Sequence, residues 1–221
     1  MTELSIVEAA TEAPDRVAIE TETGSLTFAQ CAARATSATT ASGAMAIVAT
    51  PSIETVLAVH AALAARRPIA LLHHRLTPGE TERQRGLVES AELPADAAVI
   101  LFTSGSTGAA RGVVLSHGAL AAAAAASAQH LGWRDDDRWL LALSLAHAGG
   151  LSIVIRCLAG RRPSVLCDAD FDRARVAGLL ESCTLASLVP AQLAALLDDP
   201  AWRPPHRLRA VLLGASAIAS A

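Results

Sequence analysis

Residues Thr103 to Val113, TSGSTGAARGV, constrain this chain more than any other segment. They follow an apolar stretch, Ala97 to Phe102, that reads as a buried β-strand. A second short apolar run, Val113 to Leu115, and a long alanine-rich helix come after them. Glycines let the backbone turn sharply and approach a ligand closely. Successive main-chain N–H groups in such a turn form a concave anion site. Ser and Thr hydroxyls add donors for phosphate or ligands for magnesium, and Arg111 adds a fixed positive charge. A loop of this kind leaving a central strand predicts phosphate binding. A flexible linker has a similar composition, but this loop lies between two β-like runs rather than between domains.

Better-known phosphate and nucleophile loops are excluded by spacing. The segment is not G-x-x-x-x-G-K-[ST] and not G-x-G-x-x-G, and the chain contains no G-x-S-x-G elbow.

The rest of the chain alternates strands with helices. Ser5 to Glu12 reads as a short helix that Pro14 stops, and Val17 to Glu20 with Ser25 to Thr27 as a hairpin. Thr27 or a neighbour caps a helix from Phe28 to Thr40, Ala44 to Ala49 is a buried strand, and Pro51-Ser52 opens a helix from Ile53 to Ala65. Ile69 to Leu72 is the next strand. Ser116 caps the alanine-rich helix Gly118 to His130, whose small side chains predict close packing on a sheet. Strands at Pro163 to Cys167, Leu185 to Val189 and Arg209 to Leu213 alternate with helices at Phe171 to Ser182 and Ala191 to Leu197. Repeated βα units with near-continuous apolar strands predict an α/β fold with a largely parallel sheet flanked by helices. Ligands in such sheets bind beyond the carboxyl ends of strands. Phe102, Ser144 to His147 and Leu213-Gly214 all fall at predicted strand ends, so these patches are expected to converge.

The segment Ile100 to Gly118, ILFTSGSTGAARGVVLSHG, resembles the signature loop of the AMP-forming adenylating enzymes: acyl-CoA synthetases, luciferases and nonribosomal peptide adenylation domains. The family pattern is T-S-G-S/T-T-G-x-P-K-G-V. Here Ala110 replaces the usual proline and Arg111 the usual lysine, which keeps the charge but not the compact ammonium. A second segment, Trp139 to Gly160 (WLLALSLAHAGGLSIVIRCLAG), resembles the family motif in which a strand ends at a histidine and Gly-Gly opens a helix. With Arg161-Arg162 it is most similar to the o-succinylbenzoate–CoA ligases of menaquinone synthesis. Leu208 to Ala217 resembles the strand and glycine-rich turn that approach the acyl group and adenine. Ala64 to Glu80, with Arg75-Leu76-Thr77, resembles the stretch that walls in substrates.

The resemblance implies an ATP-dependent carboxylic acid–CoA ligase. A carboxylate attacks the α-phosphate of ATP, pyrophosphate leaves, and the thiol of coenzyme A then displaces AMP from the acyl-adenylate. Thr103, Ser104, Gly105, Ser106, Thr107, Gly108, Arg111 and Gly112 would hold the β- and γ-phosphates. Thr107 would give a hydroxyl to Mg²⁺, with Thr107, Arg111 and His147 as the catalytic set. His147, Gly149, Gly214, Ala215 and Ser216 would face the acyl substrate. The implied partners are a small carboxylic acid, ATP and CoA. The family's later adenine, ribose and hinge segments and its small C-terminal domain have no counterpart in the sequence. Residues 1–221 therefore read as the N-terminal part of the large AMP-binding domain, with little turnover expected by themselves. A non-catalytic nucleotide- or partner-binding remnant is the alternative, motivated by Arg111 and by those missing segments.

Composition excludes several other classes. A formal net charge of −3 and 3% aromatic residues argue against a nucleic-acid surface. The longest charge-free apolar run, Trp139 to Ile155, is broken by Ser144, His147 and Gly149-Gly150, and is too short and interrupted for a membrane span. The acidic N-terminus MTELSIVEAA lacks a signal-peptide pattern, so a cytoplasmic location is expected. Cys31, Cys157, Cys167 and Cys183 lack C-x-x-C spacing and read as buried reduced thiols. His73-His74 reads as a strand-end pair, and Asp135-Asp136-Asp137 as a solvated turn. Homo-oligomerisation is left open.

Overall fold

A computed structural model describes residues 4–35, 43–104, 110–167 and 171–214. Two sheets organise the described residues. The first takes strands β1 (Val17–Thr21), β2 (Gly24–Thr27), β7 (Trp139–Leu141), β8 (Ser164–Leu166), β9 (Leu185–Leu188) and β10 (Ala210–Leu213) in the order β10-β9-β7-β8-β1-β2. The second takes β3 (Met45–Ala49), β4 (Ile69–His73), β5 (Ala97–Ser104) and β6 (Ala110–Ser116) in chain order. All described pairings are parallel except β1 with β2 and β5 with β6. The largely parallel α/β architecture expected from the apolar strands is therefore observed, divided between two sheets.

Strand alternation explains how the sheets stack. Along β4 and β5, Ile69, Leu71, Val99 and Leu101 enter one core, while Ala70, Leu72 and Ile100 enter another with Val88. Successive side chains of a strand point to opposite faces. In the larger sheet, Trp139, Leu141 and Leu185 join the first core, whereas Leu140, Val165 and Ala186 pack with Val176, Leu180 and Leu196. The shared core thus lies between the two sheets and holds helices α1 (Ile6–Glu12), α2 (Phe28–Ala35), α3 (Ile53–Ala64), α5 (His117–Leu131) and α6 (Ala148–Gly160). The outer faces are covered by α4 (Pro78–Glu89) on one side, and by α7 (Arg173–Leu180) and α8 (Pro190–Leu197) on the other.

Helix starts follow their capping residues. Ser5, Ser52 and Ser116 accept N–H groups of Glu8, Thr55 and Ala119. Thr27 and Gln30 exchange hydrogen bonds at 3.2 and 2.9 Å in a capping box, which satisfies two otherwise orphaned N–H groups. The described part of α2 ends at Ala35, and the rest of the expected helix lies outside the described residues.

Several expectations are corrected. The run after the glycine-rich loop is an antiparallel edge strand, because the chain reverses between β5 and β6 and Thr103 pairs with Arg111 across the hairpin. Val113 and Val114 are consequently 43% and 38% exposed. Residues 44–49 are not a buried strand: β3 is the other edge, and only Ala49 is buried. The alanine helix α5 packs against α6 and buries only Leu120 and Ala124. Asp137 is no solvated turn residue. It has no exposed surface and accepts Arg209 Nε and Nη2 at 2.9 and 2.6 Å, the Thr184 hydroxyl at 2.7 Å and the Arg134 N–H at 2.7 Å. Burial pushes its carboxyl up, but these bonds and the Arg209 charge outweigh it and hold the pKa below the usual carboxylate range.

Helix α4 was not apparent from periodicity because its faces are mixed. Its start was legible, since Thr77 and Glu80 form a capping box around Pro78. All four cysteines are buried, and burial pushes the Cys31 thiol up to about 12 and Cys183 to about 11. Among the described residues no helix is long and apolar enough to cross a membrane.

Candidate functional site

A cavity of about 310 Å³ opens at the carboxyl ends of β4 and β5. Strand β4 contributes Leu71 and His73, β5 contributes Phe102 and Thr103, and Ala110 comes from the start of β6. Helix α4 closes one wall with Glu80 and Gln84, and Ala146 and His147 close another. The position agrees with the rule for parallel sheets, in which the strand ends and the loops beyond them leave a crevice.

His147 reaches the cavity through a tight turn. β7 ends at Leu141, so the histidine does not end the strand as expected; it is the N-cap of α6. Its N–H donates to the Ser144 carbonyl at 3.2 Å, and the Ser144 hydroxyl accepts the Ala146 N–H at 3.3 Å. The helix then starts directly over this turn. A Cβ on Gly150 would stand 2.3 Å from Ser144 O, so only glycine allows the approach. His147 is exposed and makes no side-chain cap bond, and the first turn of α6 carries no acidic residue. The free N–H groups and positive dipole end of α6 favour an anion next to His147.

The β5–β6 hairpin brings the ends of the glycine-rich loop to the same cavity. Thr103 and Arg111 are cross-strand partners and both are exposed. Gly112 lies opposite Phe102, and a Cβ there would come within 3.3 Å of the Ile100 side chain, which would have to give by a few tenths of an ångström. Gly105, Ser106, Thr107 and Gly108 lie outside the described residues, as do Ala215 and Ser216. The side chain of Ser104 is likewise not described. Gly214 follows β10 and donates its N–H to Leu188 O at 3.4 Å in the other sheet; it does not line the cavity. Gly149 is exposed in the first turn of α6 beside His147.

Three cavity residues were not singled out in the sequence, although His73 and Glu80 lie in the Ala64 to Glu80 stretch whose resemblance implies a substrate wall. His73 was read only as a strand-end residue, yet its ring centroid lies 5.1 Å from that of His147. Its place at the carboxyl end of a parallel strand was the available signal. Gln84 is 6% exposed, and its Oε1 is buried without a hydrogen-bond partner among the described residues. Glu80 accepts the Thr77 hydroxyl at 2.7 Å and the Thr77 N–H at 2.9 Å. Those two bonds hold its carboxyl below the usual range. It therefore adds a fixed negative charge to the α4 wall, opposite in sign to Arg111. Among the described residues no group of three or more His, Cys, Asp or Glu is arranged to hold a metal ion.

Residues 82–221 match the family model described as AMP-binding enzyme. The chain belongs to the AMP-binding enzyme family. Among curated members of this family, the 2-succinylbenzoate–CoA ligase of Bacillus cytotoxicus is 37% identical over 122 residues, 54% of this chain and 25% of the ligase. The chain thus spans about a quarter of the length of the curated relatives it matches. The o-succinylbenzoate coenzyme A synthetase of Bacillus subtilis in complex with AMP superposes with a TM-score of 0.81 at 26% identity, covering 95% of this chain and 67% of that one. The same synthetase in complex with ATP and magnesium ion gives 0.79 at 26% identity, covering 97% and 70%. The likeness to these structures accounts for the two-sheet α/β fold.

Proposed function

We propose that this chain carries the phosphate- and acyl-binding part of an ATP-dependent carboxylic acid–CoA ligase that works through an acyl-adenylate, with o-succinylbenzoate as the acid. The observation that carries the reading is the meeting of Thr103, Ala110 and His147, from β5, β6 and the start of α6, at one cavity beside an α-helix N-terminus, with Arg111 the cross-strand partner of Thr103. The family membership and the likeness to o-succinylbenzoate synthetases support it.

Adenylation brings two anions together, so the site must neutralise phosphate charge and hold the attacking oxygen in line. In this reading the main chain and hydroxyls of residues 103–108, with Arg111 and Gly112, cradle the β- and γ-phosphates as they become pyrophosphate. MgATP is the substrate form, and the Thr107 hydroxyl approaches its ion, which keeps most of its ligands from phosphate and water. His147 and Gly149, at the start of α6, orient the carboxylate. Coenzyme A then supplies the thiol that displaces AMP.

Pyrophosphate release from ATP, measured with o-succinylbenzoate and a panel of other carboxylic acids on the full-length parent of residues 1–221, tests the proposal, since little turnover is expected of this segment by itself. Acid-dependent release that falls at least tenfold in Arg111→Ala is expected; no release with any acid refutes it. The arginine in the usual lysine position supports a second reading, a nucleotide-binding module without turnover. MgATP binding by calorimetry, weakened by Arg111→Ala and unaccompanied by pyrophosphate release, would favour that module.

A further inference from the structure

The ring of His147 stands at the cavity mouth with little of its own to hold it. It is exposed, makes no cap bond, and has no side-chain hydrogen bond among the described residues. Its ring contact is with His73, at 5.1 Å between centroids and 44° between planes. His73, by contrast, is fixed from two directions. Its Nδ1 accepts the Arg75 N–H at 3.1 Å, which places the proton of the neutral ring on Nε2. Its other neighbour is the His74 ring, stacked at 4.7 Å and 18°. His73 is also the last residue of β4, whose backbone pairs with β3 through Ala49↔His73. A rigid strand end therefore carries a stack of imidazoles that finishes on His147.

We propose that His73 is a positioning residue: stacked on His74 and tied to the Arg75 N–H, it sets the orientation of the His147 ring toward the occupant of the cavity. The acid-binding half of this inference rests on the ligase reading above; the ring platform does not. Stacked and edge-on aromatic pairs contribute beyond their buried area, so removing the His73 ring releases His147 rather than unfolding the site. A ring of any polarity restores the platform, because the face supports His147, whereas the Nδ1 acceptor only fixes His73 itself.

The test compares His73→Ala and His73→Phe in the full chain, alone and combined with His147→Ala, after thermal melts establish that each variant folds. In ligand-free protein, His73→Ala is expected to shift the imidazole proton resonances of His147, through lost ring current and altered rotamers, and His73→Phe to keep them in a defined environment. With MgATP present, His73→Ala is expected to weaken o-succinylbenzoate binding by roughly 2- to 10-fold, His73→Phe to restore it, and MgATP affinity to stay within about twofold. No further loss is expected once His147 is alanine. Unmoved His147 resonances in His73→Ala overturn the proposal, as does an equal loss of acid binding in the His147→Ala background. If no protein, wild type included, takes up the acid, the ligase reading fails and the resonance comparison alone decides the platform.

Discussion

Gly150 and Gly149 occupy the same first turn of α6, yet substitution by alanine is expected to act in opposite directions. A Cβ on Gly150 would lie 2.3 Å from Ser144 O, 2.6 Å from Ser144 C and 2.7 Å from Leu143 O, all main-chain atoms. Ordinary contact begins near 3.4 Å, so the helix start and the 143–144 turn must part by about 1 Å. Overpacking of this kind costs about 1–3 kcal/mol, and alanine returns about 0.5–1 kcal/mol of helix propensity. The net expectation for Gly150→Ala is a loss of about 1–2 kcal/mol, or a Tm lower by about 2–8 °C in a chain of this size. At Gly149 the neighbour is Leu143 Cδ1 at 3.1 Å, the end of a flexible side chain that can rotate away. Gly149→Ala should therefore melt at or slightly above the wild-type temperature. The displaced turn also carries His147 through its 3.2 Å bond to Ser144 O. A shift of about 1 Å in a positioning group can cost on the order of 100-fold in rate, so Gly150→Ala in the full-length parent should lose acid-dependent pyrophosphate release beyond its loss of stability. Thermal melts followed at 222 nm, with pyrophosphate release on the same samples, check both. A Gly150→Ala protein that melts no lower than Gly149→Ala refutes the close-approach argument.

Three further outcomes follow from buried polar groups. His60 is 3% exposed with an unpartnered Nδ1, and burial pushes its pKa down to about 4. The unfolded ring takes its proton near pH 6.5, so stability is full above that pH and falls by about 3 kcal/mol as pH drops through the window to about 4; urea melts of wild type and His60→Leu should differ in slope only there. Arg209→Ala strands the fully buried Asp137 carboxylate and should cost about 3–5 kcal/mol at pH 7, with Asp137→Asn/Arg209→Ala recovering part of it in the same melts. Gln84→Leu removes a buried acceptor without a partner and should raise stability by about 1 kcal/mol, read from the urea midpoint at unchanged m-value.

The order of strands and helices and the caps at Thr27, Ser52 and Ser116 were legible in the sequence because each depends on contacts a few residues apart. Apolar period, a hydroxyl before a helix and a glycine in a turn leave local marks. Helix α4 shows the limit of one such signal, since its capping box was present while its mixed faces hid the helix. Which strands became edges could not be read this way. β3 is as apolar as β4 and β5, and its exposure, like that of Val113 and Val114 in β6, follows from having one partner instead of two. Asp137 looked like its acidic neighbours; its burial depends on Arg209 and Thr184, which arrive from the starts of other strands. His73 and His147 meet for the same reason. Each sits at the end of its own local element, and only the stacking of one sheet's strand end against the helix start of the other brings the two rings together. Short-range sterics and hydrogen bonding wrote the elements into the chain, whereas the chemistry at the cavity arises from long-range packing, where many apolar contacts jointly select one arrangement.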